Sequence, residues 1–411
     1  MMRKVSLSVF LVMVFVAASL VMVGCSKGPS GEAGKGTIKI GYISSLSGPF
    51  AGVAQYCTPA VQMAIDKANE AGGLNGRKFE LVVRDDTGDA SVIAQKANEL
   101  VGAGCVVVLG GLLDPCDKAL SAWAKDAKVP TILTSSTSLA LRTTDFNKYS
   151  FCTVPPSFAL ATLYAQTISK QDVKSIAFIG ADMAIAHDIF NMFWPKLDKL
   201  KPGVKNLGAT WVGGTEMEFS NIISATLAKK PDMILSGIAG PPWVNFVQQG
   251  QRFNLFDKTK VAGSYLLGAE LTAPFKKTYP KGIQAPTWSP FYLDDKPMQD
   301  FVKAYLDKTK LYPADLTMVR YVSGLAAVEA IKKAGGTEAD KIVAALETMS
   351  FDTPIGSIHY RDFDHQAVMP IWYVTSGYSD QYPLAIGLNP VKYGEEIYPT
   401  KDEIMALRAP K

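Results

Sequence analysis

From Ile38 onward, short apolar runs alternate with stretches in which apolar residues recur every three or four positions. The first pattern is typical of buried strands and the second of amphipathic helices. Strands are predicted at residues 38–43, 79–86, 105–111 and 130–136. Continuous apolar strands separated by helices indicate a parallel sheet with helices on both faces. The first part of the chain therefore predicts a doubly wound α/β unit.

The same alternation starts again after an extended segment at residues 149–156. Strands are predicted at 175–181, 209–214, 232–240 and 260–267, with helices at 157–170, 185–200, 219–230 and 243–252. Pro195 should break or kink its helix because proline has no backbone N–H. After a Pro-rich passage at 284–292, helices are predicted at 295–309, 317–334 and 338–349. Residues 351–376 alternate like a hairpin with arms at 358–363 and 368–374.

This recurrence predicts two α/β lobes joined by more than one crossover, with a hinge and a central cleft. Lobe 1 is expected to contain residues 37–150 and 288–350, and lobe 2 residues 151–287 and 351–411. Ligands of open α/β sheets bind at the carboxyl ends of the strands. The segments there that are rich in Gly, Ser and Thr are 44–50, 110–115, 134–138, 237–242 and 263–265. Such loops form tight turns, and they also expose backbone amides to a ligand such as a carboxylate.

The first thirty residues form a separate unit. Two basic residues, Arg3 and Lys4, precede an apolar run from Val5 to Val23. The run matches either a secretory signal or a membrane-anchor helix. Gly24-Cys25 at its end resembles the cleavage site of bacterial lipoproteins, which implies a signal peptide over 1–24 and a lipid on Cys25. Residues 25–36 would then be a flexible tether, and the protein would be exported and anchored on the periplasmic or outer surface.

Composition narrows the class of protein further. The net charge is +4, from 42 basic and 38 acidic residues that are scattered along the chain. Without a basic patch, nucleic acid is not an expected partner. Cys57, Cys105, Cys116 and Cys152 permit one or two disulfides in an oxidising compartment, with three possible connectivities. A zinc site is the alternative, but the sequence has neither a C-x-x-C pair nor a histidine near these cysteines.

Enzyme signatures are missing from the sequence. His187, His359 and His365 are the only histidines, and none lies near a G-x-S-x-G, H-E-x-x-H or P-loop motif. Adjacent Asp85 and Asp86 could suggest paired carboxylates, but neighbouring strand residues point to opposite faces. A turn at the end of the strand explains them better. No catalytic residue, cofactor or metal is therefore predicted.

Three segments carry a resemblance to a known family: GYISSLSGPFAG (41–52), IDKANEAGGLNGRKFELVVRDD (65–86) and TILTSSTS (131–138). They resemble the leucine/isoleucine/valine-binding protein family, the type I periplasmic solute-binding proteins of ABC importers. The resemblance runs over about 37–400. It implies a Venus-flytrap fold, a monomer, a small-molecule ligand, and an ABC permease with its ATPase as partners.

The resemblance also implies a ligand site. The residues at the matching positions are Phe50, Asp114, Ser136, Thr137, Ser138, Ile185, Ala239 and Tyr265. Asp114 stands where the family has a serine that holds the ligand carboxylate, and Tyr265 where it has a glutamate that pairs with the ligand ammonium. Ile185 and Ala239 stand where it has tyrosines. A carboxylate at Asp114 would repel a ligand carboxylate, so a leucine-like binding pose is not expected.

Several ligands are compatible with the positions at which this sequence differs from the family's ligand site. Asp114 could replace the missing partner of an ammonium, or it could bind a hydroxyl or an amide N–H. Branched-chain or other amino acids, amides, urea and aromatic acids all stay open. Aromatic residues near the cleft, including Tyr56, Trp243 and Trp288, could form a flat apolar slot or belong to the core. The predicted mechanism is closure of two lobes on a solute for an ABC importer; a sensor that presents its solute to a membrane chemoreceptor or kinase is the alternative.

Overall fold

The computed structural model describes residues 36–408, which fold into two α/β lobes. The strands are β1 (Ile38–Ser44), β2 (Phe79–Asp85), β3 (Cys105–Gly110), β4 (Thr131–Leu133), β5 (Ser150–Cys152), β6 (Ser175–Ala181), β7 (Lys205–Val212), β8 (Met233–Gly237), β9 (Lys260–Gly263), β10 (Gln284–Thr287), β11 (Ser350–Thr353), β12 (Gly356–His359), β13 (Ile371–Gly377) and β14 (Ile386–Tyr393). The helices are α1 (Ala51–Glu70), α2 (Ile93–Gly102), α3 (Asp114–Ala127), α4 (Ser157–Ser169), α5 (Ala184–Leu200), α6 (Ser220–Ala228), α7 (Pro241–Arg252), α8 (Leu255–Lys258), α9 (Ala269–Thr272), α10 (Lys296–Thr309), α11 (Asp315–Ala334), α12 (Ala339–Thr348) and α13 (Lys401–Arg408).

Lobe 1 is built on a five-stranded sheet in the order β2-β1-β3-β4-β5, and every neighbouring pair is parallel. One face of the sheet presents Ile40 and Tyr42 to α1, against which α11 packs. The other face presents Ile43 and Val108 to α2 and α3. Because both faces are covered, the strands read as continuous apolar runs rather than as alternating ones.

Lobe 2 is built on a seven-stranded sheet in the order β14-β13-β10-β9-β8-β6-β7. The strands from β6 to β10 pair in parallel, whereas β13 pairs antiparallel with both β10 and β14. The predicted fold class, two α/β lobes built on parallel sheets, is confirmed. The carboxyl ends of the parallel strands in each lobe carry the loops predicted to hold the ligand.

The predicted hairpin over residues 351–376 is wrong in its pairing. The actual hairpin is β11 with β12, and it packs against α11 and α12. Between the two predicted arms, the Val368 N–H donates to the His359 carbonyl at 2.9 Å, and an isolated antiparallel bridge joins Tyr360 to Ala367 just before the second arm. The second arm instead becomes β13, because its residues Ile371 and Val374 are buried in the lobe 2 sheet beside β10.

Pro195 does not end its helix, because α5 runs continuously from Ala184 to Leu200. A proline inside a helix costs about 3 kcal/mol. Burial of Ile189, Phe193 and Leu197 on the face of α5 that packs on α4 offsets this cost. Packing therefore overrides the local signal at this position.

Two of the segments that connect the lobes pair with each other. The backbone N–H of Cys152 donates to the His365 carbonyl at 2.8 Å, and the N–H of Ala367 donates to the Cys152 carbonyl at 2.9 Å. The hydroxyls of Thr153 and Tyr360 lie 2.8 Å apart in the same region. A third connection follows β10 and leads back to the helices of lobe 1. These paired segments form the hinge region.

The expected disulfides are absent from residues 36–408, where Cys57, Cys105, Cys116 and Cys152 are all free and buried. Three of them belong to one apolar cluster under the lobe 1 sheet, and Cys57 lies in a second cluster with Ala54. Burial raises the pKa of Cys105, Cys116 and Cys152, which keeps them as thiols. They act as small core residues.

The signal peptide, the tether and Cys25 lie outside the described residues. Between residues 36 and 408, the helices are too short or too polar for any of them to cross a membrane. The lipid anchor therefore stays a prediction from the sequence.

Candidate functional site between the lobes

Asp114 lies at the carboxyl edge of the lobe 1 sheet, as the first residue of α3. Ser136 Oγ, in the loop after β4, donates a hydrogen bond to Asp114 Oδ1. Lys118 Nζ lies 2.9 Å from Asp114 Oδ2, one helical turn further along. Ser138 joins this cluster because its backbone N–H lies 3.3 Å from Ser136 Oγ. The structure thus brings together three of the predicted site residues.

Asp117 holds this loop in place from beneath, although the sequence analysis did not single it out. Its buried Oδ2 accepts hydrogen bonds from the backbone N–H groups of Ser135 at 2.6 Å and Ser136 at 2.8 Å. Burial raises the pKa of Asp117 to about 8, against the lowering effect of these hydrogen bonds. Gly111 has φ +51°, and a Cβ there would lie 2.4 Å from Asp117 Oδ1. Only glycine therefore fits beside this carboxyl.

Arg320 joins the same loops to α11 and was also missed. Its guanidinium is fully buried and donates to the carbonyls of Thr134 at 2.7 Å and Gly111 at 3.1 Å. It also lies 2.5 Å from Ser135 Oγ. An arginine amid the apolar sequence of α11 is the one signal that could have identified it, because buried charges are rare without partners.

Lobe 2 reaches this cluster through Ser157 and Asp188. Ser157 N–H donates to the Thr137 carbonyl at 2.9 Å, and Ser157 Oγ lies 3.4 Å from Asp188 Oδ2. Burial raises the pKa of Asp188, while Lys118 lowers it and Asp114 raises it further. Carboxylates from both lobes therefore lie near one another.

Tyr265 approaches from the loop after β9, where it adopts φ +59°. Its ring packs edge to face against Trp288, with centroids 5.0 Å apart. Burial raises the pKa of Tyr265. The positive charge of Arg320 lowers this pKa, and the negative charges of Asp315 and Asp114 raise it. The predicted residue of lobe 2 thus lies near Asp315 and Asp114 of lobe 1.

The other predicted residues lie outside the polar cluster around Asp114. Ile185 is half-buried in the first turn of α5, and Ala239 is exposed in the loop before α7. Phe50 belongs to the apolar cluster of Ala54 rather than to the polar cluster around Asp114. Trp243 is a core residue, because its buried indole N–H donates to Tyr279 Oη at 2.8 Å.

Glu270 and Asp315 form a second acidic group that the sequence analysis missed. Glu270 belongs to α9 of lobe 2, and Asp315 is the first residue of α11 in lobe 1. Asp315 Oδ1 accepts a hydrogen bond from Thr287 Oγ1 at 2.6 Å. Burial raises the pKa of Glu270 to about 8, with Asp315 adding to it, and raises that of Asp315 to about 6. The two carboxyls therefore interact strongly.

The remaining polar motifs have structural explanations. Asp85 accepts the backbone N–H groups of Leu46 and Thr87 at 2.9 Å, so it fixes a turn at the end of β2, as predicted. His365 is buried between the Ser150 carbonyl and Glu347, with ring nitrogens 3.1 and 3.0 Å away. No group of side chains suited to a metal ion occurs within residues 36–408.

A surface cavity of about 690 Å³ lies elsewhere, at the amino ends of the lobe 2 strands, where Asp172, Asp232, Lys260 and Ile283 line it. Its lysines and aspartates extend into solvent. Because ligands of parallel α/β sheets bind at the carboxyl ends, the region between Asp114 and Tyr265 is the better candidate.

Comparison with known proteins supports this view of the fold. The sequence model of a family described as periplasmic binding protein matches residues 37–380. A leucine-, isoleucine-, valine-, threonine- and alanine-binding protein from Pseudomonas aeruginosa is 23% identical over 333 residues, which cover 79% of this chain and 86% of that protein. A Leu/Ile/Val-binding protein from Citrobacter freundii is 23% identical over 226 residues, covering 55% of this chain and 60% of that protein.

Solved structures share the architecture at low sequence identity. A solute-binding protein of an ABC transporter from Rhodopseudomonas palustris BisB5, in complex with 3,4-dihydroxybenzoic acid, has a TM-score of 0.78 at 20% identity. The alignment covers 87% of this chain and 97% of that protein. An ABC-type branched-chain amino acid transporter structure from Rhodopseudomonas palustris CGA009 has a TM-score of 0.74 at 22% identity. The alignment covers 88% of this chain and 98% of that protein. Since the family match spans most of the chain, this protein belongs to the periplasmic binding proteins, in the leucine/isoleucine/valine-binding family.

Proposed function

We propose that this protein is an extracytoplasmic solute-binding component that closes its two lobes on a small organic solute and delivers it to an ABC permease and its ATPase. One observation carries the proposal. Asp114 and Ser136 of lobe 1 lie opposite Ser157 and Asp188 of lobe 2, with a direct inter-lobe hydrogen bond between Ser157 and Thr137. Polar groups on both sides of a hinge are what a closing site requires.

Closure follows from differential affinity. A solute that contacts both lobes binds the closed state more tightly than the open one, so it shifts the population toward closure. In this scheme Asp114 and Ser136 bind the solute from lobe 1, and Tyr265 binds it from lobe 2. The curated relatives bind branched-chain amino acids, and solved relatives of the same fold bind hydroxylated benzoic acids. Both groups are small solutes with polar ends.

The hinge is suited to such a motion. The connecting segments are short, paired with each other, and held by Gln366, whose side-chain amide donates to the Val154 carbonyl at 3.2 Å. Arg142 Nε donates in turn to Gln366 Oε1 at 2.8 Å. Short paired connections let two rigid lobes rotate without unfolding either one.

A thermal-shift panel on the purified full-length protein in detergent tests the proposal. The panel contains branched-chain and polar amino acids, short amides, urea and aromatic carboxylates. A solute present at 100 times its Kd adds about 2.7 kcal/mol to the stability of the folded state, which is readily seen. At least one member is expected to raise Tm, and small-angle scattering should show a more compact protein with that solute. A panel without any shift would contradict the proposal.

A further inference from the structure

One buried side chain, Arg142, holds the backbone of the loop that carries two predicted ligand residues. This loop after β4, residues 134–138, is the ligand loop. Arg142 is fully buried, and its Nη1 donates to the carbonyls of Ser136 at 2.9 Å and Ser138 at 2.8 Å. Both serines are predicted to contact the solute, so Arg142 fixes the backbone at two positions of the site.

The same guanidinium also holds the two paired segments of the hinge. Its Nη2 donates to the Val154 carbonyl at 3.0 Å, in the segment after β5. Its Nε donates to Gln366 Oε1 at 2.8 Å, in the segment before β13. A guanidinium is planar and rigid, with its N–H donors in a fixed fork. A shift of the hinge segments therefore has to move the ligand loop with them or break these hydrogen bonds.

The C-terminal segment, residues 394–408, packs on one of these hinge segments. Tyr398 Oη donates to the Met369 carbonyl at 2.8 Å and accepts the Met369 N–H at 3.2 Å. Arg361 Nη1 donates to the Pro399 carbonyl at 2.7 Å. Because β14 leads directly into this segment, it ties the lobe 2 sheet to the hinge.

The end of the C-terminal segment reaches Arg142 itself. Arg408, the last residue of α13, donates to the Arg142 carbonyl through Nε at 3.2 Å and through Nη2 at 2.9 Å. Its Cζ lies 3.9 Å from the centre of the Phe146 ring. Arg142 and Phe146 both belong to the stretch between β4 and β5 of lobe 1. Residues 394–408 thus form a strap that runs from the lobe 2 sheet, across the hinge, to the residue that holds the ligand loop.

We propose that Arg142 is a positioning residue that couples the hinge to the ligand loop, and that Arg408 at the end of the strap holds Arg142 in place. The consequence for solute binding rests on the proposed function, whereas the coupling itself exists without solute. A loop that is already ordered costs less to order on binding, so it retains the solute longer. Release of Arg142 by the strap should loosen the ligand loop and let the solute dissociate faster.

Hydrogen exchange on the full-length protein without solute tests the coupling. Arg408 is half-buried at the surface, and Arg408→Met keeps its aliphatic stem but removes the N–H donors. Lys401→Met makes the same loss of charge at an exposed position of the same helix and serves as the control. Arg408→Met should raise exchange at least fivefold at the amides of Ser136, Ser138 and Ala367. Lys401→Met should leave these amides within twofold of the native protein.

A purely local role of Arg408 would give a different pattern. If it only caps the neighbouring carbonyl, exchange should rise at Thr143 and Asp145, whose N–H groups donate to the Ala140 carbonyl, and stay unchanged at Ser136. That local pattern would overturn the coupling. Equal exchange in the Arg408→Met and control variants would overturn it as well.

Arg142→Lys tests the guanidinium itself, with circular dichroism checking the fold. A lysine keeps the charge, but its single nitrogen cannot span acceptors on three segments. The variant should therefore show faster exchange at Ser136 and Ala367, at least as pronounced as in Arg408→Met. Native exchange at both amides in a folded Arg142→Lys protein would contradict the proposed role.

Solute kinetics test the consequence for binding. For each solute that raises Tm in the thermal-shift panel, stopped-flow fluorescence measures the association and dissociation rates. Arg408→Met should raise the dissociation rate at least threefold and leave the association rate within twofold. Faster exchange with an unchanged dissociation rate, or a loss of amplitude alone, would overturn the positioning role. If no solute binds the native protein, the proposed function fails, while the exchange experiment still decides whether the coupling exists.

Discussion

Asp114 and Asp117 lie one turn apart at the start of α3, but only Asp117 is shielded from solvent. The Asp114 side chain is 22% exposed and shares its oxygens between Ser136 and Lys118. Asp117 is fully buried and binds two backbone N–H groups of the loop after β4. We expect Asp114 to act in ligand binding and Asp117 in stability.

Substituting the two aspartates separates these roles. Asp114→Asn should weaken solute binding about tenfold or more, since hydrogen bonds to charged groups contribute about 1.5–3 kcal/mol. Its stability should change by less than about 1 kcal/mol, because a partly exposed ion pair contributes little. Asp117→Ala leaves two buried N–H groups unpaired and should cost about 2–4 kcal/mol. Urea unfolding and titration calorimetry measure both effects; a stable Asp117→Ala protein would contradict this division.

At the scale of elements, α11 is what holds the lobe 1 loops in register. Its Arg320 contacts the loops after β3 and β4, which are far from it in sequence, and α11 packs along α1. Local turn chemistry alone does not order these loops. The loop that carries Ser136 therefore depends on a helix that follows it by almost two hundred residues.

Replacing Arg320 should destabilise lobe 1. Arg320→Met keeps much of the side-chain volume but leaves the Thr134 carbonyl without its donor, whereas the Gly111 carbonyl keeps hydrogen bonds from Thr134 Oγ1 at 2.9 Å and Ser135 Oγ at 3.1 Å. We expect a loss of about 2–4 kcal/mol in the free energy of unfolding, measured with urea. Glu329→Gln on the same helix, which breaks only a partly exposed pair with Lys332, should stay within about 0.5 kcal/mol of the native protein. Equal stability of the two variants would show that Arg320 does not order the loops.

At the scale of the whole molecule, three buried carboxyls should make stability depend on pH. The pKa values of Asp117, Glu270 and Asp315 are raised to about 8, about 8 and about 6. The folded state therefore binds more protons than the unfolded state between about pH 4 and 8. Their contribution to stability is largest below about pH 4 and is lost as the pH rises through these values.

The ligand-free protein should accordingly lose stability between pH 6 and pH 8. Glu270→Gln has no proton to lose at this position, so its unfolding free energy should fall by about 2 kcal/mol less over this interval. Denaturant melts at both pH values measure this difference. Comparison with Glu329→Gln cancels the contributions of the groups that do not interact with Glu270, and parallel slopes for the two variants would be evidence against the raised pKa of Glu270.

Attachment to the membrane is the second prediction at this scale, and the sequence predicts that it depends on one residue, Cys25. A lipid on Cys25 would keep the protein next to its permease, with about 0.8 kcal/mol for each buried methylene. Cys25→Ser should therefore move the protein from the membrane fraction to the soluble fraction in cell fractionation. A variant that stays fully membrane-bound after signal processing would rule out the lipid anchor.

The alternation of apolar runs and amphipathic stretches was enough to predict two α/β lobes, because a strand covered on both faces has to be apolar throughout. It also located the loops at the carboxyl ends, including Asp114, Ser136 and Tyr265. It failed where distant packing decides the outcome. Pro195 stays within its helix because α5 packs on α4, and residues 371–377 join the lobe 2 sheet rather than a local hairpin.

What the sequence by itself determined was therefore the architecture, since hydrophobic periodicity is local and survives without knowledge of partners. Only the tertiary structure decided the charge balance of the site. Arg320 of α11 reaches the loops after β3 and β4, and Glu270 of α9 interacts with Asp315 at the start of α11, so these contacts join segments that are separated along the chain. Such long-range electrostatic environments leave no periodic signal in the sequence, because desolvation is set by the folded surroundings and not by neighbouring residues.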